Sequence, residues 1–365
     1  MRRTRERGEQ RCRICGKQSR LIAGFLGVCL ECIRRHPAEA LQLAEEAHQR
    51  GRRLFGLPES PPHDAEGVEC VLCGHHCRIP EGGHGFCGLR TVRAGRLVHL
   101  AGTPKRGLLH WYRDPLPTNC VADPVCTGRH QFGAHNLAVF YASCTFDCLF
   151  CQNWHYREVD IRQGPFLSAE ELAAAARKDT YCVCYFGGDP ASQMPHALAS
   201  ARLLAQRGVV VCWETAGSAN PKLMDQAVEL SLQTGGVVKF DLKAFDETLH
   251  QVLAGASNRQ TLENFRRAVG RFGERPAPPL VVASTLLVPG YVDVEEVRRI
   301  AGFIAGLNPA VPYVLLGFAP HCFMPDLPTT SRAHALAAEK AAREAGLQNI
   351  HIGNWHLLGH EDYEG

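Results

Sequence analysis

Leu137-Ala138-Val139-Phe140-Tyr141-Ala142-Ser143-Cys144-Thr145-Phe146-Asp147-Cys148-Leu149-Phe150-Cys151-Gln152-Asn153 carries two signals in succession. Its first six residues form an apolar run and predict a buried strand. The remainder presents three cysteines as CxxxCxxC. A closed [4Fe–4S] site needs four thiolates, so three in one loop leave one iron without a protein ligand. An open position keeps room for a small chelating molecule, by the logic that separates catalytic from structural metal sites. Electron transfer from such a cluster supplies a way to break a bond in that molecule. The competing reading is a purely structural cluster.

Downstream of this loop, strand-like and helix-like runs alternate. Strands are expected at 181–186, 209–213, 237–242, 280–288 and 313–318, with helices such as 168–177 and 190–206 between them. Repeated β-α units imply a parallel sheet. With the strand at 137–142, six strands suit a partial (β/α)6 TIM-like barrel. Barrel enzymes place their chemistry at the C-terminal strand ends. Here those ends read Phe186-Gly187-Gly188-Asp189-Pro190, Cys212-Trp213-Glu214-Thr215-Ala216-Gly217, Lys239-Phe240-Asp241-Leu242-Lys243, Leu287-Val288-Pro289-Gly290-Tyr291 and Gly317-Phe318-Ala319-Pro320-His321. Each motif is weak alone; their order is the signal.

The cysteine loop after a first strand, with Phe150 before the third cysteine, resembles the radical S-adenosylmethionine (SAM) superfamily. The ordered strand ends resemble its pyruvate formate-lyase activating enzyme branch, above all Asp241-Leu242-Lys243 through Leu253, Gly255, Ser257, Asn258 and Arg259. The resemblance implies a [4Fe–4S] cluster held by Cys144, Cys148 and Cys151, with SAM on the open iron. One electron then cleaves SAM to methionine and a 5′-deoxyadenosyl radical, which abstracts a hydrogen atom. It also implies that Gly187, Gly188 and Asp189 meet the SAM amino group, with Asp189 where the family has a Glu. Glu214, Asp241 and Lys243 would line the SAM pocket, and His321 its far side. The activases have an Arg six residues before the Gly of Val-Pro-Gly, and here Ser284 stands in its place. Cys70 to Gly88, with Cys151-Gln152-Asn153, is similar to the radical SAM enzymes of the AmmeMemoRadiSam system. The likeness covers about residues 68–356.

The front of the chain holds most of its 17 cysteines. Cys12-x2-Cys15 and Cys29-x2-Cys32 predict a four-thiolate zinc site in a zinc-ribbon-like module, residues 1–36. It reads either as a staple for a small segment or as a docking ribbon. A helix at 37–53 and a Pro-rich link complete residues 37–64. Cys70, Cys73, Cys77 and Cys87 form a second Cys-rich module, residues 65–135, suited to zinc or an iron–sulfur cluster. His75, His76 and His84 among them read as surface loop residues. Cys120 and Cys126 fit no metal spacing; a redox pair, an auxiliary cluster and buried thiols remain open. Cys182 and Cys184 share a strand face and read as core residues, or as a radical relay. Cys322, beside His321, reads as a loop residue near the site, and Trp154 and His155 as residues packing over the cluster loop or meeting a partner. The barrel takes residues 136–365, and residues 353–358 are placed to close its mouth.

The chain has 365 residues, 45% hydrophobic and 21% charged, a soluble globular composition. Lys plus Arg is 40 against 37 for Asp plus Glu, which argues against a nucleic-acid-gripping surface. The six arginines among residues 1–13 read as a solvated tail. No apolar run reaches membrane-spanning length and no apolar segment follows the basic start, so a cytoplasmic protein without a secretory signal is expected. Three functions compete. One is a SAM-cleaving, activase-like oxidoreductase that abstracts a hydrogen atom from a protein partner, such as from a glycine, fed by a low-potential donor such as flavodoxin or ferredoxin. The second is a radical SAM enzyme acting on a small molecule or RNA. The third is a non-catalytic electron carrier or scaffold.

Overall fold

The computed structural model describes residues 8–118 and 120–363; the basic start at residues 1–7 lies outside them. Its centre is a sheet of seven parallel strands in sequential order: β1 (His135–Tyr141), β2 (Thr180–Phe186), β3 (Val210–Thr215), β4 (Val238–Asp241), β5 (Val281–Leu287), β6 (Tyr313–Gly317) and β7 (Ile350–Gly353). The six expected strands are present, and β7 extends them by one. The sheet stays open, a partial barrel. Gly107–Pro115 pairs antiparallel with β1, and Phe166–Leu167 pairs antiparallel with that strand at the edge.

Each parallel connection carries a helix, as a crossover must. In the front segment lie α1 (Leu30–Arg35) and α2 (Pro37–Arg53). The crossovers use α3 (Ala169–Ala174), α4 (Met194–Ala205), α5 (Pro221–Thr234), α6 (Glu247–Ala254), α7 (Arg259–Gly270), α8 (Val294–Leu307) and α9 (Arg332–Glu344). Helix starts are set locally by side-chain caps. Ser168 and Glu171 form a reciprocal capping box on α3, and Asp246, Asp293 and Ser331 cap α6, α8 and α9. The core lies between the sheet and these helices, and strand residues such as Val183, Val211, Val238 and Leu315 are fully buried. No described helix is long and apolar enough to cross a membrane.

The front segments pack onto the barrel rather than hanging from it. Gln10–Arg11 and Gln18–Ser19 form a two-stranded ribbon. The Tyr291 hydroxyl donates to Val28 O at 3.0 Å and accepts from Ala23 N at 2.9 Å. Arg34 pairs with Asp293 at 2.7 Å. The Val-Pro-Gly-Tyr turn after β5 therefore seats the ribbon. The second Cys-rich segment docks at the β3 end, where Gly74 N donates to Ser218 O and Asn220 N to Leu72 O.

Candidate active site

The loop after β1 is fixed from three sides. Asp147 N donates to Ala254 O at 2.8 Å and Leu149 N to Leu253 O at 3.0 Å, so the C-terminal end of α6 carries it. Arg157 donates to Cys148 O at 3.2 Å. Phe323 N donates to Leu149 O at 2.9 Å. At the centre sits Asp147, fully buried, with His48 Nδ1 at 2.9 Å, Arg157 at 3.2 Å and Arg52 at 3.4 Å. Burial alone would raise its pKa, but the His48 hydrogen bond and the charges of Arg157, His48 and Arg52 outweigh that and hold it below the usual carboxylate value. Arg52 also stacks on Phe86, 3.6 Å from the ring centroid, and donates to Pro58 O and Phe86 O. One guanidinium thus ties α2, the Pro-rich link, the second Cys-rich segment and the cysteine loop together. The sequence reading passed over this network; the only local hint was an acid lodged between two cysteines.

Cys144, Cys148 and Cys151 open into a cavity of about 320 Å³. Its walls include Gly187 and Gly188 after β2, Glu214 on β3, Lys239 and Asp241 on β4, and Lys243 beyond it. Strand geometry explains the grouping. Side chains two apart share a face, and Glu214 stands directly opposite Lys239 in the parallel ladder. The charged groups are paired: Lys239 to Glu214 at 3.0 Å and Lys243 to Asp241 at 2.6 Å. Burial would raise the Asp241 pKa, yet Lys243 and Lys239 hold it below its usual value. Its Oδ1 is buried and has no hydrogen-bond partner, an acceptor aimed at a donor the protein does not supply. Burial pushes the Cys148 thiol up to about 11 and that of Cys151 up to about 12. Binding iron therefore displaces protons. Three thiols, a free carboxylate oxygen and glycine backbone at one wall fit a cluster with an amino-acid ligand on its open iron.

Gly188 has φ +53°, and a Cβ there would collide with the carbonyl oxygens of Tyr141 and Ser143. Gly188→Ala is expected to cost more than about 1 kcal/mol in denaturant unfolding. It should also suppress the SAM-induced change in the cluster's EPR spectrum while leaving the iron bound. Unchanged stability together with an unchanged SAM response would contradict this role.

Other expected site residues fall elsewhere. Asp189 is buried, and its carboxylate accepts from the Thr145 and Thr215 hydroxyls, each at 2.9 Å, and from Ala191 N. His321 is exposed and lies outside the cavity wall. Ser284 sits opposite Asp241 in the ladder, fully buried, its hydroxyl without a partner. Asn354, just after β7, lines the cavity. His75 departs from its reading as a surface residue: its ring packs tilted against Phe86, centroids 4.4 Å apart, and its Nε2 lies 2.5 Å from Thr145 O. Trp154 stacks on His155 and leans on Phe55 of the front segment.

The sulfurs of Cys12, Cys15, Cys29 and Cys32 all lie within 4.8 Å of one another, with Cys15 to Cys29 at 3.8 Å. A tetrahedral ion with Zn–S bonds of ~2.3 Å has an S–S edge of about 3.8 Å. The four thiols fit such an ion. Among the described residues such tight grouping is confined to these four.

Residues 138–304 match the profile of the Radical SAM superfamily. The chain is similar to the isethionate sulfite-lyase activating enzyme of Oleidesulfovibrio alaskensis, 34% identical over 288 residues, covering 74% of this chain and 86% of that protein. It is also similar to the pyruvate formate-lyase 1-activating enzyme of Escherichia coli, 26% identical over 134 residues, 34% of this chain and 52% of that one. A crystal structure of a domain of pyruvate-formate lyase-activating enzyme from Bacteroides vulgatus aligns with a TM-score of 0.39 at 22% identity, covering 48% of this chain and 99% of that one. With the cysteine loop and strand ends placed as described, the chain belongs to the radical SAM superfamily, alongside its activating enzymes, and is an enzyme of SAM cleavage and radical generation.

Proposed function

We propose that this chain is an activase-like oxidoreductase that takes a hydrogen atom from a glycine of a partner protein. The observation that carries the reading is the single cavity shared by Cys144, Cys148, Cys151, Gly187, Gly188, Glu214, Asp241 and Lys243. The similarity to activating enzymes supports it. Cys144, Cys148 and Cys151 hold the [4Fe–4S] cluster. When bound, cluster and SAM supply a 5′-deoxyadenosyl radical, at the cost of one electron from a low-potential donor such as flavodoxin or ferredoxin. The chain's own groups orient the ligand. Asp241 Oδ1 would accept from its donor groups, Lys243 would supply positive charge to the pocket, and the Gly187-Gly188 backbone would let it approach the wall. The Lys239–Glu214 pair keeps that wall neutral. In the front ribbon, Cys12, Cys15, Cys29 and Cys32 hold zinc as a structural staple.

Reduced, reconstituted protein is expected to show an EPR signal that changes when SAM is added. An anaerobic extract of source cells grown on α-deuterated glycine should then yield 5′-deoxyadenosine carrying deuterium. A SAM-indifferent signal would overturn the site assignment. Turnover giving only unlabelled 5′-deoxyadenosine would overturn the glycine donor alone.

A further inference from the structure

Five cysteines outside the cluster loop converge on a second cavity, of about 380 Å³. Cys182 and Cys184 lie on one face of β2, and Cys212 on β3 stands directly opposite Cys184 in the ladder. Cys120 and Cys126 come from the irregular segment that packs inside the open barrel, against Val237, Val282 and Val314. All five are free thiols. The chamber adjoins the first cavity, and Val121, Phe186 and Glu214 line both.

We propose that this chamber is a second metal site that takes an iron–sulfur cluster, with thiolates drawn from Cys120, Cys126, Cys182, Cys184 and Cys212. Soft thiolate donors select copper(I), zinc or iron–sulfur centres. Spacing separates these. Among the described residues no three of these sulfurs come within 4.8 Å of one another, unlike those of the ribbon. Donors spread around an open chamber suit a polynuclear centre, in which each thiolate meets a different iron. Both signs of charge stand around the chamber: Asp114, Asp123 and Glu214 line it, with Cys120 Sγ 4.0 Å from Glu214 Oε1, and N–H and cationic groups lie near the sulfurs elsewhere. Gly128 N donates to Cys126 Sγ at 3.3 Å. Arg129 is on the wall. Arg275 Nε is buried without a partner, while its Nη atoms donate to Pro278 O, Ser231 O and Gly236 O. Loading exchanges each ligating thiol proton for an iron bond, with sulfide and ferrous and ferric iron in equal amounts supplied from solution, so that the centre forms without net oxidation or reduction. The site stands independently of the glycine-donor reading.

The test uses full-length protein carrying C144A, C148A and C151A, reconstituted anaerobically with iron and sulfide. Adding Cys120→Ser, Cys126→Ser and Cys212→Ser, which leaves two of the five thiols, should lower bound iron by about four per chain, the content of one [4Fe–4S] centre, with sulfide falling alongside. Equal iron in the two proteins, or zinc in place of iron, would overturn the proposal. A measurement on the unmutated chain needs no variant to fold. Alkylation mapped by mass spectrometry should label Cys120 and Cys126 in iron-free protein and spare them after loading. Identical labelling in both states would also overturn it.

Discussion

Cys148→Ala is expected to reduce SAM cleavage to background. Bound iron should fall by about four per chain, and the SAM-responsive EPR signal should vanish. The cysteine lies at the closed end of the loop, 7% exposed, with Cys144 and Cys151 on either side of it. Two remaining thiols cannot hold a cluster that already spares one iron from protein ligation. The fold should survive, because the loop's anchors are backbone bonds to α6 that do not involve the sulfur. The lost atom costs on the order of 1 kcal/mol. Zinc in the ribbon should be unchanged, since Cys12, Cys15, Cys29 and Cys32 form their own group, held through Val28 and Ala23 by Tyr291. Metal analysis alongside 5′-deoxyadenosine measurement decides it. Wild-type SAM cleavage by this variant would remove Cys148 from the cluster.

Much of this architecture was legible because buried parallel strands announce themselves as apolar runs. β1 to β6 read that way, and α2 matched its expected bounds of 37–53. β7 did not, since Ile350-His351-Ile352-Gly353 is too short and too mixed to stand out. The cysteine loop and its strand-end neighbours were legible because the active face of a barrel follows chain order. What sequence could not convey was contact between distant segments. Tyr291 follows a motif placed at a strand end, yet its hydroxyl holds the ribbon. Cys120, Cys126 and Cys212 have no common spacing, and only the ladder register and the fold of residues 120–131 bring them together. Asp147 and its partners His48 and Arg52 are separated by 99 and 95 positions, beyond any local pattern.

That last network sets the largest expected effect on stability. Asp147→Asn should lower the free energy of unfolding by about 3–5 kcal/mol, the usual range when one partner of a buried ion pair is removed. The amide keeps the shape but leaves Arg52 and Arg157 buried, 2% and 3% exposed, without their anion. The sign of the pH dependence follows from Asp147's lowered pKa. A carboxyl held below its unfolded value of 3.8 contributes fully above that pH. The contribution is lost as pH falls through the lower folded value. The stability gap between wild type and variant should therefore be widest near neutrality and shrink in acid below 3.8. Urea unfolding of both proteins across that range measures it. Because Asp147 sits between Cys144 and Cys148, the variant should also lose its cluster faster to an iron chelator at neutral pH. A gap that stays constant into acid would mean the charge is not what the site uses. Wild-type stability with wild-type cluster retention would mean that the Asp147 network, for all its reach from α2 to the cysteine loop, does not hold that loop in place.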